Sequence, residues 1–129
     1  MQIIIDDPVV QYIIVRNDLD SMTPGRAAAQ AAHAANQCVY KSSTTTLLTE
    51  WEAEAETFGT TIVLQTDWQG IKLIENALMN TDLFFGVVRD PEYHLQDGDV
   101  THLFPLDTCM WIFGRKSTIA PLVQHLEML

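Results

Sequence analysis

The stretch from Val9 to Tyr40 constrains the fold more than any other part of this chain. Val9-Val10-Gln11-Tyr12-Ile13-Ile14-Val15 is an almost continuous apolar run rich in β-branched residues, the pattern of a central strand covered on both faces. It passes through the polar turn Arg16 to Thr23 into Pro24-Gly25-Arg26-Ala27-Ala28-Ala29-Gln30-Ala31-Ala32-His33-Ala34-Ala35. Thr23 is placed to cap this helix, with Pro24 at its first position, where a missing amide proton costs nothing. Alanine loses almost no side-chain entropy and lets the helix lie close against a sheet. Arg26, Gln30, His33 and Gln37 interrupt the alanine at spacings of four, three and four. At about 3.6 residues per turn they form one polar stripe along a single face. Taken alone, such a stripe describes the ordinary solvated side of an amphipathic helix.

The rest of the chain alternates in the same manner. Ser42-Ser43-Thr44-Thr45-Thr46 breaks the first helix and opens a short second one, in which Leu47, Leu48, Trp51 and Ala55 recur at helical spacing. Its acids Glu50, Glu52, Glu54 and Glu56 point all round such a helix and read as solvated charge. Gly59 is expected to end it, Thr60–Gln65 predicts a second strand, and Asp67 caps a third helix through Ile71, Ile74 and Leu78. Leu83–Val88 predicts a third strand and Thr108–Phe113 a fourth. After Gly114, Ser117 or Thr118 opens a final helix carrying Leu122, Val123, Leu126 and Leu129. Residues 89–107 contain Pro91, Gly98 and Pro105 and show no period, so they read as a long loop. Strand, helix, strand, helix, strand implies right-handed crossovers. The expected fold is therefore a single-domain α/β three-layer sandwich: a four-stranded mixed, mostly parallel sheet with helices on both faces.

Length and composition narrow the class. The 129 residues fit one domain, with residues 1–8 as a short N-terminal extension. Hydrophobic residues make up 47% of the chain, enough for a packed core, and no run approaches the ~20 apolar residues of a membrane helix. No membrane partner is expected. The opening segment has two acids after three isoleucines and no basic region, so it does not read as a secretory signal, and a cytoplasmic location is expected. Cys38 and Cys109 lie in a predicted helix and a predicted strand without a CxxC or Cys/His cluster, which describes two buried, reduced thiols. Seven Lys and Arg against 17 Asp and Glu give a net charge of −10, opposite to the basic footprint usual in nucleic-acid binding. Screening over about 10 Å nevertheless lets a local basic patch act. The basic residues are scattered in sequence, and only the fold could gather Arg16, Arg26 and Arg89 at one sheet edge.

Asp18-Leu19, Met22, Gly25, the basic residue at 26, Ala28-Ala29-Gln30 and His33-Ala34 resemble, in order and spacing, the first-helix signature of the second class of peptidyl-tRNA hydrolases. The resemblance extends from about Tyr12 to Leu129, through Trp51-Glu52, Gly59, Asp90 and Thr108. It implies hydrolysis of the ester joining a peptide to the terminal ribose of tRNA, with peptidyl-tRNA as partner, no cofactor, and chains that often pair as homodimers. Arg26, where the family has lysine, Gln30, Asp90 and Thr108 fall at the positions it implicates in catalysis. His33 matches a histidine of the same motif. Where the family continues Asp-Ala-Gly-Arg-Thr, this chain has Asp90-Pro91-Glu92-Tyr93-His94, so His94 takes the threonine's place. Arg16, His33, Arg89 and His94 are the expected substrate-binding residues.

Such an ester is reactive enough that positioned water and a stabilised oxyanion suffice for catalysis. Asp90 is suited to orienting water, Arg26 and Gln30 to holding the carbonyl or phosphate, and Thr108 to hydrogen-bonding either. Arg26 keeps the charge of lysine but cannot release a proton. The chain has no GxSxG elbow, Walker loop or GxGxxG. His94, Asp97, Asp99 and His102 are of metal-ligand type, but Asp97-Gly98 is an ordinary turn pair, and no metal site is expected. From a different class, the same fold would serve as a catalytically silent binding module or adaptor whose acidic surface meets a basic partner. A related hydrolase of a smaller ester or amide is a third alternative.

Overall fold

The computed structural model describes residues 7–129, so all but Asp7 and Pro8 of the expected N-terminal extension lie outside the described residues. The elements follow as β1 (Val9–Arg16), α1 (Pro24–Lys41), α2 (Thr46–Glu52), β2 (Thr61–Thr66), α3 (Trp68–Leu78), β3 (Phe84–Asp97), β4 (Val100–Arg115), α4 (Lys116–Val123) and β5 (Glu127–Met128), with a 3-10 turn at Ala53–Ala55. The caps of α1, α2 and α3 are those the residues predict, whereas α4 opens at Lys116 after Arg115, ahead of the expected Ser117 or Thr118 and with no side-chain cap. Thr23 Oγ1 accepts from the Arg26 amide, Thr45 Oγ1 from the Leu48 amide and Asp67 Oδ1 from the Gly70 amide.

One five-stranded mixed sheet runs in the order β3-β4-β1-β2-β5. This corrects the expected four-stranded, mostly parallel sheet. Only β1 and β2 pair in parallel; β1 with β4, β3 with β4 and β2 with β5 are antiparallel. The expected parallel group survives in direction, because two antiparallel steps turn β3 the same way as β1, but β4 inserts between them.

β1 is central and covered on both faces, as its apolar run requires. Val9, Ile13 and Val15 pack with Ala27, Ala34, Cys38, Leu48 and Trp51 of α1 and α2. Val10, Tyr12 and Ile14 pack with Ile71, Ile74 and Leu78 of α3 and Ile119 and Val123 of α4. Each such branched side chain, fully buried, contributes about 1.5–3 kcal/mol. The sheet is thus the middle of three layers. Cys38 and Cys109 are buried free thiols, and burial pushes both up to about 11, so they stay protonated at neutral pH.

Residues 89–107 are not a loop. They form an antiparallel ribbon in which β3 and β4 run on past the core to a two-residue turn, Gly98-Asp99. Gly98 there has φ of 60°, the position where a type II′ hairpin demands glycine. The ladder changes register twice. Val88 pairs with Cys109 but Arg89 with Asp107, which leaves Thr108 as an extra residue on β4; Asp90 pairs with Leu106 but Tyr93 with Phe104, which leaves Pro91 and Glu92 opposite Pro105. Both prolines sit where the ladder is interrupted and no amide proton is required.

The final helix ends earlier than its apolar spacing suggests. It stops at Val123, and the chain turns to lay β5 along the edge of β2, where the Leu129 amide donates to Val63 O. Leu122 and Leu126 still pack on the α3 side of the core.

Candidate active site

Arg26, Gln30 and Gln37 of the α1 polar stripe face β3 and β4, while His33 stays exposed. From its first turn Arg26 sends Nη1 to the backbone oxygen of His94 at 2.9 Å and to that of Ser21 at 3.4 Å. One turn later Gln30, only 4% exposed, lies between the two strands. Its Nε2 donates to Asp90 Oδ2 at 2.7 Å, and its Oε1 accepts from Thr108 Oγ1 at 2.6 Å. Gln37 Oε1, farther along, accepts from the indole nitrogen of Trp111 at 2.9 Å. Three of the four polar side chains on this alanine helix thus dock it onto β3 and β4, and His33 alone of the stripe is left exposed.

The two register shifts place the residues that meet Gln30. The first leaves Thr108 outside the ladder and completely buried, its hydroxyl given to Gln30. The second follows Asp90, whose Oδ1 accepts from the Glu92 amide at 2.9 Å. A bulge re-aims side chains in this way and is often found beside functional groups. The amide of Gln30 is consequently oriented from within the core: Thr108 fixes its oxygen, and its nitrogen is left to meet the carboxylate. Burial raises the pKa of Asp90, but the Glu92 amide, the Gln30 amide and the charges of His33 and His94 together outweigh it, so the carboxyl is held below its ordinary value.

These groups line a cleft of about 250 Å³. Arg26, Gln30 and His33 form its α1 wall, and Asp90, Glu92 and His94 the β3 wall. Buried Tyr93 closes one side and pins the ribbon to the β1–α1 turn, with its hydroxyl 3.0 Å from Ser21 Oγ. A larger cavity of about 660 Å³ lies on the other flank of α1, bounded by Met22, Ala27, Ala31, Val63 and Leu129. That groove is apolar and has no group able to polarise a carbonyl; the chemistry lies in the smaller cleft.

Arg26, Gln30, Asp90, His33 and His94 therefore come together, with Thr108 behind them. Arg16 and Arg89 do not join them, so the fold does not gather the three arginines. Alternation along β1 and β3 turns both to the α3 face. There Arg16 grips Asp18 through Nε and Nη2 at 2.8 and 3.1 Å, donates to Asp107 O, and lies 5.1 Å over the Trp68 ring. Arg89, 61% exposed, reaches Asp107 Oδ1 at 3.3 Å. Of the residues of metal-ligand type, His102 contacts Asp97 at 3.6 Å across the ribbon, while His94 lines the cleft. Sequence reasoning missed Glu92 and Tyr93 as cleft residues, because nothing in an aperiodic stretch reveals strand phase.

The fold and cleft define a three-layer α/β protein with a buried amide clamped between a hydroxyl and a carboxylate, beside an arginine and two histidines. A family model described as peptidyl-tRNA hydrolase PTH2 matches residues 9–129, nearly the whole chain, and the chain belongs to that family. No curated protein matches it.

Proposed function

We propose that this cleft hydrolyses the ester of peptidyl-tRNA, releasing the peptide and a recyclable tRNA. The family supports the reaction class; the observation that carries it to these residues is the Thr108–Gln30–Asp90 chain of hydrogen bonds. Asp90, ionised and held by two donors, has lone pairs left to orient a water beside the ester carbonyl. The Arg26 guanidinium, fixed at the rim by two backbone oxygens, stabilises the oxyanion as it forms. Gln30 holds Asp90 in place. Thr108 is too deep to touch substrate and acts through Gln30 as a positioning residue. The reading includes a cytoplasmic location and a homodimer, the second of these implied by the resemblance.

Release of the N-blocked amino acid from N-acetyl-aminoacyl-tRNA tests the reading. Wild-type protein is expected to turn over, and folded Gln30→Ala and Asp90→Ala variants to lose about 10²-fold or more in kcat/KM. A wild type that melts cooperatively yet shows no turnover would overturn the enzyme reading in favour of a binding module. Activity on small esters but not on tRNA would favour the hydrolase of smaller substrates.

A further inference from the structure

Two histidines that line the cleft have no part in the hydrolysis as described. His33 and His94 belong to opposite walls, α1 and β3, and both are near enough to Asp90 to favour its ionised form. Ester hydrolysis must move two protons: one leaves the attacking water as the new C–O bond forms, and one must reach the ribose 3′-oxygen as the old bond breaks. The other groups in the cleft are poorly suited to this near neutral pH. Arginine is charged throughout the working range, and a side-chain amide does not exchange protons there. Asp90 is a weak base, because its neighbours favour the carboxylate. The Tyr93 hydroxyl is turned away toward Ser21 and Met22. Imidazole is the side chain whose ordinary ionisation matches the task.

The two histidines are held differently. His94 follows Tyr93, the first paired residue beyond the second bulge, and its backbone oxygen takes the 2.9 Å hydrogen bond from Arg26. Its position is therefore tied to the guanidinium that faces the carbonyl. His33 stands on an exposed turn of α1, one turn beyond Gln30. The charged groups around His94 are Arg26 and His33 from α1 and Asp90 and Glu92 from β3; its β4 partner, Leu103, is uncharged.

We propose that His94 is the proton-transfer residue of this cleft, taking a proton from the attacking water and delivering it to the departing ribose oxygen. The assignment rests on the ester-hydrolase reading. Water loses a proton to His94 as its oxygen bonds to the ester carbon. The tetrahedral intermediate then collapses, the bond to the ribose oxygen breaks, and the imidazolium protonates that oxygen. The peptide departs as a carboxylic acid that ionises in bulk water, His94 returns to its neutral form, and no further reactant is needed. His33 helps to hold Asp90 ionised and carries no proton between reactants.

The test is kcat at saturating N-acetyl-aminoacyl-tRNA, corrected for spontaneous hydrolysis, across the acid and neutral range for wild type, His94→Gln and His33→Gln. Wild type is expected to lose rate as pH falls, on a limb that requires His94. His94→Gln is expected to be about 10²-fold slower and to lose that limb, whereas His33→Gln keeps it. Added imidazole is expected to restore part of the rate of His94→Ala, a rescue that a merely structural role would not give. His94 is exposed, so these variants leave the core intact. A His94→Gln enzyme that retains the wild-type limb, or loss of the limb in His33→Gln alone, would overturn the proposal. An active wild type with no limb above the carboxylate range would overturn it while leaving the hydrolase reading intact. An inactive wild type would remove both.

Discussion

The hydroxyl of Thr108 orients the Gln30 amide from beneath the cleft, fully buried and outside its lining. Thr108→Val preserves volume but takes from Gln30 Oε1 its buried donor, at a cost of about 1–3 kcal/mol. The freed amide then has no reason to keep its nitrogen toward Asp90. Urea melts should show the stability loss, and ester hydrolysis should fall by about tenfold or more; full activity in a destabilised protein would place Thr108 in the core alone. At this scale the sequence was legible where one helix carried the information. The spacing of Arg26, Gln30 and His33 puts them on one face whatever lies opposite, and they do meet in the cleft. Arg16 and Arg89 were not legible, since a strand reverses its face at every residue and both arginines fall one position out of phase with Asp90.

Among the elements, those with a plain hydrophobic period came through within a residue or two: β1, α1, β2 and α3 all match their expected spans. The ribbon did not, because proline and glycine commonly punctuate loops, and here two prolines share a bulge and the glycine makes a tight turn. The end of α4 was hidden for another reason. Its apolar spacing continues, but the open edge of β2 accepts β5 in place of further helix. The packing of α1 on the ribbon yields a test independent of function. Gly86 lies opposite Trp111, and a Cβ built on it would stand 2.7 Å from the indole nitrogen. That indole is buried and held by Gln37, so it has little freedom to retreat. Gly86→Ala is expected to cost about 1–3 kcal/mol, read as a lower Tm; an unchanged Tm would mean that the indole does not rest on this glycine.

Across the whole molecule, charge is divided by the length of the central strand. Arg16, Arg26, Lys72 and Arg89 lie toward the end where β1 finishes, while Arg115, which pairs with Val9, lies roughly 23 Å away at its start. Of the first group, Arg16 is engaged by Asp18 and Asp107, and Lys72 lies over Trp68 beside Glu75. With at most two cations at that end, Arg26 and Arg89, able to turn to phosphate, the dependence of tRNA affinity on salt should be shallow, a log–log slope of about −2. A slope near −6, from binding measured across a salt series, would require a basic surface that this fold does not assemble. Among the described residues no helix is long and apolar enough to cross a membrane. The paired bulges carry a further consequence. The extra residue on β4 throws the ladder out of step, and the extra residue on β3 restores it, so only Arg89-Asp90 and Leu106-Asp107 lie between the two errors. Beyond them the hairpin is in phase with the core again. Its length is therefore free to drift: residues gained or lost in matched pairs toward the turn leave Asp90 facing Gln30, whereas deleting one bulged residue alone would invert every outward side chain.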